Sequence, residues 1–288
     1  PPLNWVMSEK FDGYRARWIH ELCIFLSRNQ KEFQGTPEWF SDLIPEEDLD
    51  GELWCGRDNF QSMGVVRRHD PDPEEWLPIK YIVYDLPEHP GTFHERLIEL
   101  RKIITKGAKK WLKDRKALPE PYCDLEYPVV MADQIKIESY EQMDQYYKSI
   151  LQKDGEGIMI KDPNSRYEDG RSNYMLKVKP SFDEEAVIVD YTKGKGKYNK
   201  CLGGFVCKPL ENHDTYHVIV KNPKREFTLS GMDDEIRNNY KITHPIGTVI
   251  SYEHSGKTAT GKPRFGRYLR IRDDIVIKDD VEKTGTEK

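Results

Sequence analysis

The chain has 288 residues, of which 33% are charged, and its formal net charge is −5. This length favours two domains, and the absence of any run of about 18 apolar residues argues against a membrane span. Five cysteines without C-x-x-C spacing favour free thiols over a disulfide framework or a zinc site. The sequence starts at Pro1, so it leaves open whether a signal peptide was removed from a periplasmic protein or the chain belongs to the cytoplasm or nucleus.

The charge is distributed unevenly along the chain. Residues 1–185 contain 26 Lys and Arg against 36 Asp and Glu, whereas residues 186–288 contain 19 against 14. The balances are therefore −10 and +5. We expect the C-terminal part to supply a surface that faces phosphates, and the acidic part to accept a polyanion only through local arginines or metal ions.

The N-terminal part predicts strands with helices around them. Residues 5–30 predict a hairpin that turns near His20, and the stretches DLDGELW and IKYIVYDLP predict two buried strands. Apolar residues at helical spacing predict a helix from Phe93 to Trp111. A capping box of Ser139 and Gln142 predicts the start of a second helix. The stretches DGEGIMIK and NYMLKVK then predict two more strands.

The C-terminal part predicts a small barrel of short strands. The stretch PSFDEEA, after Lys179, predicts a hinge. Six strand candidates follow, separated by turns rich in glycine and charge: AVIVDYT, GGFVCK, YHVIVK, REFTLS, TVISYEH and RYLRIR. Such spacing is typical of a closed barrel. Only the eight residues Lys208 to Thr215 separate the strand candidates at 203–207 and 216–220, so we expect no long hairpin there.

Polar side chains recur in or beside the predicted strands of the N-terminal part. Charges in apolar surroundings are costly unless they are paired or coordinated, so their clustering indicates a polar site rather than a core. The residues concerned are Lys10, Asp12, Arg15, Arg28, Glu52, Tyr84, Glu156, Lys177 and Lys179.

This set of residue types suits chemistry at phosphorus. A lysine acts as a nucleophile through its neutral amine, which nearby positive charge favours. Cations also stabilise the charge that develops on a phosphate under attack. Glu52 and Glu156 offer oxygen ligands for Mg²⁺, and Tyr84 offers a flat face for a base.

The stretches that carry these residues resemble, in order, the motifs of ATP-dependent DNA ligases, members of the covalent nucleotidyltransferase superfamily. EKFDGYR is similar to the nucleophile motif, and SRN, DGELW, IVYDLP, GEGIMIK and LKVK are similar to the motifs that follow it. GKGKYNKCLGG and GKPRFGRYLRIR resemble the OB-domain and final motifs. GELWCGRDNFQ and PGTFHERL are similar to the minimal two-domain ligases of the bacterial periplasmic type, and less so to short viral ligases. The sequence departs from the family pattern at one position of the final motif. The family often has proline after the dipeptide RF, whereas here Gly266 follows Phe265.

The resemblance implies an α+β fold with two domains. It implies a nucleotidyltransferase (ATP-grasp-like adenylation) domain at 1–185, with antiparallel sheets and flanking helices, followed by a small all-β OB-fold barrel at 186–288. It also implies an ATP-dependent DNA ligase that seals nicks between a 5′-phosphate and a 3′-hydroxyl in duplex DNA, as repair and replication require, through a lysyl-AMP intermediate and an adenylated 5′ end.

The resemblance also assigns roles to residues. Lys10 would be the nucleophile, and Lys177, Lys179, Arg264 and Arg272 would be catalytic cations, the two arginines orienting pyrophosphate. The nucleotide would be bound by Glu9, Lys10, Arg15, Glu52, Tyr84, Lys161, Lys177 and Lys179. DNA would be bound by Arg28, Arg67, Arg68, Lys193, Lys195 and Lys197, and the metal by Asp12, Glu52 and Glu156.

The implied ligands are ATP, Mg²⁺ (or Mn²⁺) and nicked duplex DNA, bound by a monomer without membrane contact. Two alternatives stay open. The same scaffold serves RNA ligases and GTP-dependent capping enzymes, and an OB barrel can bind nucleic acid without catalysis. The lysines of KGKGKYNK fit phosphate contacts or a solvated loop.

Overall fold

A computed structural model describes residues 2–57, 59–170, 172–213, 216–220, 222–258, 260–275 and 277. The chain divides into two compact units, Pro1–Lys179 and Pro180–Lys288. The predicted functional division at 185/186 stays a prediction. No helix in the described part of the chain is long and apolar enough to cross a membrane.

The described residues of the first unit form two sheets and three α-helices. Its strands are β1 (Val6–Glu9), β2 (Tyr14–Ile19), β3 (Ile24–Ser27), β4 (Leu49–Trp54), β5 (Lys80–Asp85), β6 (Val129–Met131), β7 (Ile135–Lys136), β8 (Ile158–Lys161) and β9 (Met175–Val178). Its helices are α1 (Glu38–Ser41), α2 (Phe93–Asp114) and α3 (Tyr140–Leu151). One sheet has the order β3-β2-β4-β5-β6 and the other β7-β1-β8-β9. Every strand pairing described in this unit is antiparallel, as predicted, except that of β5 with β6, which is parallel.

The alternation of side chains along the five-stranded sheet separates a core face from a polar face. Ala16 and Trp18 on β2 are buried with Tyr81 and Val83 on β5. Apolar residues of α2, including Leu100, pack on the same face. Residues at the intervening positions point to the opposite face because successive strand side chains alternate. The polar face is therefore free to hold a site.

Both long helices of the first unit begin at a side-chain cap. Thr92 accepts from the backbone of Glu95, whose carboxylate accepts from the Thr92 N–H at 2.7 Å. This capping box fixes the start of α2, and we did not predict it. At α3 the predicted Ser139 cap is present, with Gln142 N–H donating to its hydroxyl at 3.1 Å. The Gln142 side chain, however, accepts from Glu138 N–H rather than from Ser139, which corrects the predicted box.

The second unit is an OB-like sheet with one helix. Its elements are β10 (Phe182–Lys193), β11 (Leu202–His213), β12 (Tyr216–Ile219), β13 (Phe227–Leu229), α4 (Asp234–Thr243), β14 (Val249–His254) and β15 (Arg267–Ile271). The strand order is β12-β11-β10-β14-β15, and β13 pairs with β11. A single bridge joins Ser230 to Arg267, so the described strands do not form the continuously paired closed barrel that we predicted. The all-β prediction also missed α4, whose start is capped by Asp233 accepting from Ile236 N–H at 2.8 Å.

The segment expected to be a short loop is strand. β11 continues to His213, and Leu210 pairs with Ile219 of β12, so the predicted connection of eight residues was wrong; residues 214 and 215 lie outside the described part of the chain. The stretch KPLENH reads as a turn because it is polar and contains proline. Proline is compatible with a strand where its missing N–H is not needed, and the carbonyl of Pro209 still accepts from Val220 at 3.1 Å.

A buried histidine gives the second unit a pH-dependent stability. His244 stacks on Phe205 at 5.1 Å between ring centroids and shares a 2.9 Å hydrogen bond with the Tyr268 hydroxyl. Burial lowers the pKa of His244 below its usual 6.5, against the weaker opposing effect of Asp233. At a pH just below 6.5, His244 therefore binds a proton more readily in the unfolded chain than in the folded unit. The stabilisation is present above pH 6.5 and is lost as the pH falls below it.

We expect the stability of the second unit to decline below pH 6.5, with a slope of at most about 1.4 kcal/mol per pH unit from this group. The check is hydrogen exchange of peptides from residues 186–275 between pH 5 and 8, in wild type and His244→Gln, after correction for the intrinsic exchange rate. An equal decline in both proteins would contradict the assignment.

Candidate active site

Lys10 lies where three predicted motifs meet. It follows β1, and its backbone N–H donates to Gly157 at 2.9 Å, while its ammonium forms an ion pair with Glu156. Gly157 has φ of +146°, and a Cβ there would lie 2.2 Å from the carbonyl oxygen of Val178. Only glycine allows this approach. The loop before β8 therefore brings the lysine, the glutamate and the end of β9 together.

Glu52 lies beside Lys10 on the polar face of β4. The motif glycine Gly13 passes so close to β4 that a Cβ would meet the carbonyl oxygen of Leu53 at 2.1 Å. Burial raises the pKa of Glu52 to about 8, and the positive charge of Lys10 opposes this shift. Glu52 is thus a neutral acid at pH 7 that a nearby cation would help to ionise.

Arg15 is held by a buried aspartate. Its guanidinium donates two hydrogen bonds to Asp50, at 3.1 and 2.7 Å, and Tyr167 donates to the same carboxylate at 2.9 Å. Asp50 is 1% exposed, so this pair fixes the orientation of Arg15. The predicted base-stacking residue, Tyr84, is half-buried on the same side of the sheet. Burial raises the pKa of its hydroxyl, so it stays a neutral aromatic group.

Lys161 belongs to a buried ion cluster. It pairs with Asp85, which also receives two hydrogen bonds from Arg96 at 2.6 and 3.2 Å. The Lys161 ammonium lies 4.1 Å from the centre of the Phe93 ring. Burial lowers the pKa of Lys161. The predicted contact between Lys161 and the nucleotide stays a prediction, since the ion-pair partner that the structure shows is Asp85.

The two lysines of LKVK differ in exposure. Lys177 lies on β9 opposite Met159 and is exposed. Lys179 is partly buried, and its Cα lies 3.0 Å from the position of a Cβ built on Gly157. Lys179 is therefore placed close to the loop that holds Glu156, whereas Lys177 is free to reach a ligand from the edge of the sheet.

The predicted metal ligands do not form a preformed three-carboxylate site. Among the described residues, no three His, Cys, Asp or Glu side chains are grouped as a metal cluster. Glu156 forms an ion pair with Lys10. The charge of Lys10 lowers the pKa of Glu52, and the charge of Glu156 raises it. A pair of carboxylates at Lys10 is compatible with Mg²⁺, which takes one or two carboxylates plus phosphate and water.

The predicted DNA-binding arginines of the first unit lie on its surface. Arg28 is exposed in the turn after β3. Arg67 is exposed with its guanidinium 6.0 Å from the Tyr14 ring, and Arg68 pairs with Glu75 at 2.6 Å. Arg68 is therefore partly neutralised within the unit.

The two predicted arginines of the last motif have different surroundings in the second unit. Arg272 donates to both oxygens of Asp274 at 2.8 Å and to Glu185 at 2.6 Å. Arg264 is partly buried, with its guanidinium 5.8 Å from the Phe265 ring. Arg272 must give up these carboxylates if it is to orient pyrophosphate, and both roles stay predictions.

The departure at Gly266 has a backbone reason. Phe265 has φ of +56°, a left-handed conformation that is uncommon for residues other than glycine. Proline disfavours helical conformations in the residue before it and pushes that residue to extended ones. A proline at 266 would conflict with this turn, and a Cβ at Gly266 would also lie 2.8 Å from the Leu229 side chain.

A family model for the ATP-dependent DNA ligase domain matches residues 2–179, and one for the DNA ligase OB-like domain matches residues 193–272. A DNA ligase of Haemophilus influenzae is 30% identical over 271 residues, which cover 94% of this chain and 87% of the relative. The chain belongs to the ATP-dependent DNA ligase family. The predicted enzyme class and the order of a nucleotidyltransferase domain and an OB-like domain are confirmed, and membership implies the use of ATP.

Two further likenesses bear on the size of the ligase. A DNA ligase of Methanosphaera stadtmanae is 27% identical over 80% of this chain, but the match spans only 42% of that protein. The solved structure of a Lig E DNA ligase, studied for DNA binding with a minimal scaffold, matches with a TM-score of 0.71, 26% identity and 93% coverage of both chains. The predicted resemblance to minimal two-domain ligases is confirmed.

Sequence reasoning missed a cavity beside the ligase motif. It has a volume of about 220 Å³ and is lined by Glu9, Phe11, Trp54, Lys80, Ile82, Val130, Met131, Ala132, Asp133 and Tyr146. Arg57 holds Glu9 at its rim through hydrogen bonds of 2.7 and 2.6 Å. Arg57 lies in a loop without periodicity, so no sequence signal pointed to it. Asp50 was also missed, although its spacing from Glu52 on one strand places both on the same face.

The lysine loop of the ligase is pinned by a buried arginine. Arg237 of α4 donates to the carbonyl oxygens of Leu202 at 2.6 Å and Gly203 at 3.0 Å. Its guanidinium lies 4.4 Å from the centre of the Tyr198 ring, and the Lys197 ammonium lies 4.5 Å from the same ring. The loop that carries the exposed residues Lys193, Lys195 and Lys197 is therefore ordered by Tyr198.

We expect Tyr198→Ala to weaken binding of nicked DNA about threefold to tenfold, because two cation–π contacts that order the lysine loop are lost. Tyr198→Phe keeps the ring and should bind nearly as wild type. The measurement is fluorescence anisotropy with a nicked duplex, alongside ATP-dependent labelling, which we expect to change less. Equal affinity of the alanine and phenylalanine variants would contradict this role.

Proposed function

We propose that this ligase seals 5′-phosphate/3′-hydroxyl nicks in duplex DNA and that Lys10 carries the AMP. The observation that supports this most is the convergence at Lys10. The loop glycine Gly157 places the lysine against Glu156, and Gly13 places it beside Glu52. A lysine that lies among carboxyl groups on the polar face of a sheet is suited to react with a phosphate. The cations that accompany the phosphate would be bound by those carboxyl groups.

The proposed reaction consists of three displacements at phosphorus. The Lys10 amine attacks the α-phosphate of ATP, its bond to pyrophosphate breaks, and the amine loses a proton. The AMP is then transferred to the 5′-phosphate of the nick, which frees the lysine. Finally the 3′-hydroxyl attacks that phosphate, AMP leaves, and the phosphodiester bond is complete. Each step is an in-line transfer, so one set of positioned cations serves all three.

The chain's residues supply distinct parts of this chemistry. The Lys10 ammonium forms an ion pair with Glu156, and this contact must break before the amine attacks the α-phosphate. Lys177 and Lys179 are proposed to bind the α-phosphate and to favour the neutral amine. Arg15, fixed by Asp50, is proposed to orient the nucleotide.

A divalent cation fits this site. Glu52 and Glu156 would hold Mg²⁺ or Mn²⁺, which supplies positive charge against the phosphate oxygens. Because burial raises the pKa of Glu52 to about 8, binding at this residue would release a proton near neutral pH. We further propose that the ligase acts as a monomer.

The test uses the purified chain with α-labelled ATP or GTP and Mg²⁺, followed by denaturing electrophoresis. We expect a covalent label from ATP alone and sealing of nicked DNA in preference to nicked RNA. Label from GTP would point to a capping-type enzyme, and preference for nicked RNA would point to an RNA ligase. No label from either nucleotide would overturn the proposal in favour of a binding module.

A further inference from the structure

One helix is strongly basic within an acidic unit. Residues 93–117, which comprise α2 and the turn after it, contain nine Lys and Arg against three Asp and Glu. The rest of residues 1–185 contains 17 against 33. The balance is thus +6 for this segment and −16 for its surroundings. None of these cations was assigned a role by the ligase motifs.

Four of the lysines form a stripe along the outer face of α2. Lys102, Lys106, Lys109 and Lys113 are spaced by four, three and four residues, and all are exposed. At 3.6 residues per turn this spacing keeps them on one side of the helix, over a length of about 16 Å. The inward face is buried and, apart from Arg96, apolar. We call these four residues the lysine stripe.

The lysine stripe is little neutralised by the protein. Lys102 pairs with Glu99 at 2.8 Å, whereas within the described residues no carboxylate lies in ion-pair distance of Lys106, Lys109 or Lys113. Like charges four residues apart on a helix destabilise it. An open groove runs beside the stripe from Ile98 to Lys109. The surface therefore presents concentrated positive charge without internal partners.

The stripe faces away from the Lys10 site. Helix α2 packs on the core face of the five-stranded sheet, where Tyr81 and Val83 are buried. Glu52 is paired with Ile82 across β4 and β5, so it points to the opposite face. Because Lys10 lies beside Glu52, the sheet separates the stripe from the candidate active site. One straight duplex segment seated at Lys10 cannot also lie along the stripe.

We propose that the lysine stripe is a second DNA-binding site, which holds the phosphate backbone of a duplex segment separate from the nick. Duplex DNA carries one negative charge per about 1.7 Å of axis, and lysines bind such a polyanion without reading its sequence. An anionic membrane fits less well, because surface-binding helices insert an apolar face, and here that face is buried in the core. The choice of DNA rests on the proposed function.

The test compares two triple variants of the full-length chain. Lys106→Gln/Lys109→Gln/Lys113→Gln removes three charges from the stripe. Lys136→Gln/Lys148→Gln/Lys153→Gln removes three exposed charges elsewhere on the same unit and is the matched control. Each protein is saturated with a short nicked duplex that lacks the 3′-hydroxyl and is then titrated with a labelled intact duplex over a range of salt concentrations. Sedimentation reports whether two DNA molecules are bound.

We expect wild type and the control to bind the second duplex, and the stripe variant to bind it at least about tenfold more weakly. The slope of log K against log salt should be smaller by about 2–3 in the stripe variant, since each lost phosphate contact removes about 0.9. A separate assay uses the same short nicked duplex with its 3′-hydroxyl present. Its sealing should be unchanged in all three proteins, which separates this site from the active site.

Three results would overturn the proposal. The first is an equal loss of second-duplex binding in the stripe variant and the control variant, and the second is that wild type binds no second duplex. The third is that the stripe variant loses binding to vesicles containing anionic lipid but keeps its binding to DNA. If the short duplex that carries a 3′-hydroxyl is not sealed by wild type, but binding of the second duplex still depends on the stripe, the proposed function fails and this inference stands. Circular dichroism of both variants verifies that α2 is folded.

Discussion

Replacing Lys10 with alanine is expected to reduce transfer of AMP to the protein by at least about 10⁴-fold, the scale seen when a covalent nucleophile is removed. The reason is that the bond to phosphorus is made by this amine alone. Neighbouring lysines such as Lys179 are fixed by their own positions in the backbone. Their amines therefore cannot take the place of the Lys10 amine beside Gly157. The measurement is covalent labelling from α-labelled ATP, read by denaturing electrophoresis.

A step-specific control makes this prediction sharper. The last displacement does not use the Lys10 amine, so Lys10→Ala should still seal a nick that carries a pre-formed 5′-AMP. Lys153→Ala removes an exposed lysine of the same unit and should label as wild type. Residual labelling of Lys10→Ala above about 1% of wild type would require a different nucleophile, and loss of sealing at the adenylated nick would show a misfolded site instead.

Replacing Arg96 with methionine is expected to destabilise the first unit by up to about 3–5 kcal/mol, because removing the fully buried partner of Asp85 leaves this buried carboxylate with Lys161 as its remaining cation among the described residues. The Arg96 and Asp85 side chains are 0% and 1% exposed. Arg96 also donates to the carbonyl oxygens of Gly91 at 2.9 Å and Ser165 at 3.0 Å. Methionine keeps most of the stem but supplies none of these donors.

Tryptophan fluorescence during urea unfolding measures this effect in the first unit alone. All six tryptophans belong to that unit: Trp5, Trp18, Trp39, Trp54, Trp76 and Trp111. The control is Lys102→Met on the same helix, whose solvent-exposed pair with Glu99 should contribute far less to stability than the buried pair. Similar losses in the two variants would show that burial does not set the strength of the Arg96 pair.

The same cluster connects stability with the site. Asp85 is shared by Arg96 and Lys161, and Lys161 ends β8, the strand that follows Glu156. Loss of Arg96 should therefore leave Lys161 as the only cation on Asp85 in the described part of the cluster. We expect ATP-dependent labelling by the folded Arg96→Met protein to fall by a smaller factor than its folding equilibrium constant. The reason is that a separate backbone contact, from Lys10 to Gly157, holds the lysine beside Glu156.

Much of this protein is determined by the local sequence. The strands β2, β4, β5 and β8, the helices α2 and α3, and the glycines of the motifs are legible because alternation, helical spacing and caps act within a few residues. Polar residues in apolar strands also indicated a site before any contact was known, because buried charge requires a partner. The order of these motifs pointed to the ligase family.

Only the tertiary structure decided which partners the charges have. Arg15 with Asp50, Arg57 with Glu9 and Arg96 with Asp85 join residues 11 to 48 positions apart, a distance over which sequence spacing carries no geometric information. The structure also decided that β11 runs on through KPLENH and that the second unit contains α4, because strand pairing and packing outweigh weak local preferences. Local physics fixed most elements of the first unit, whereas long-range packing fixed the course of β11 and the electrostatics of the site.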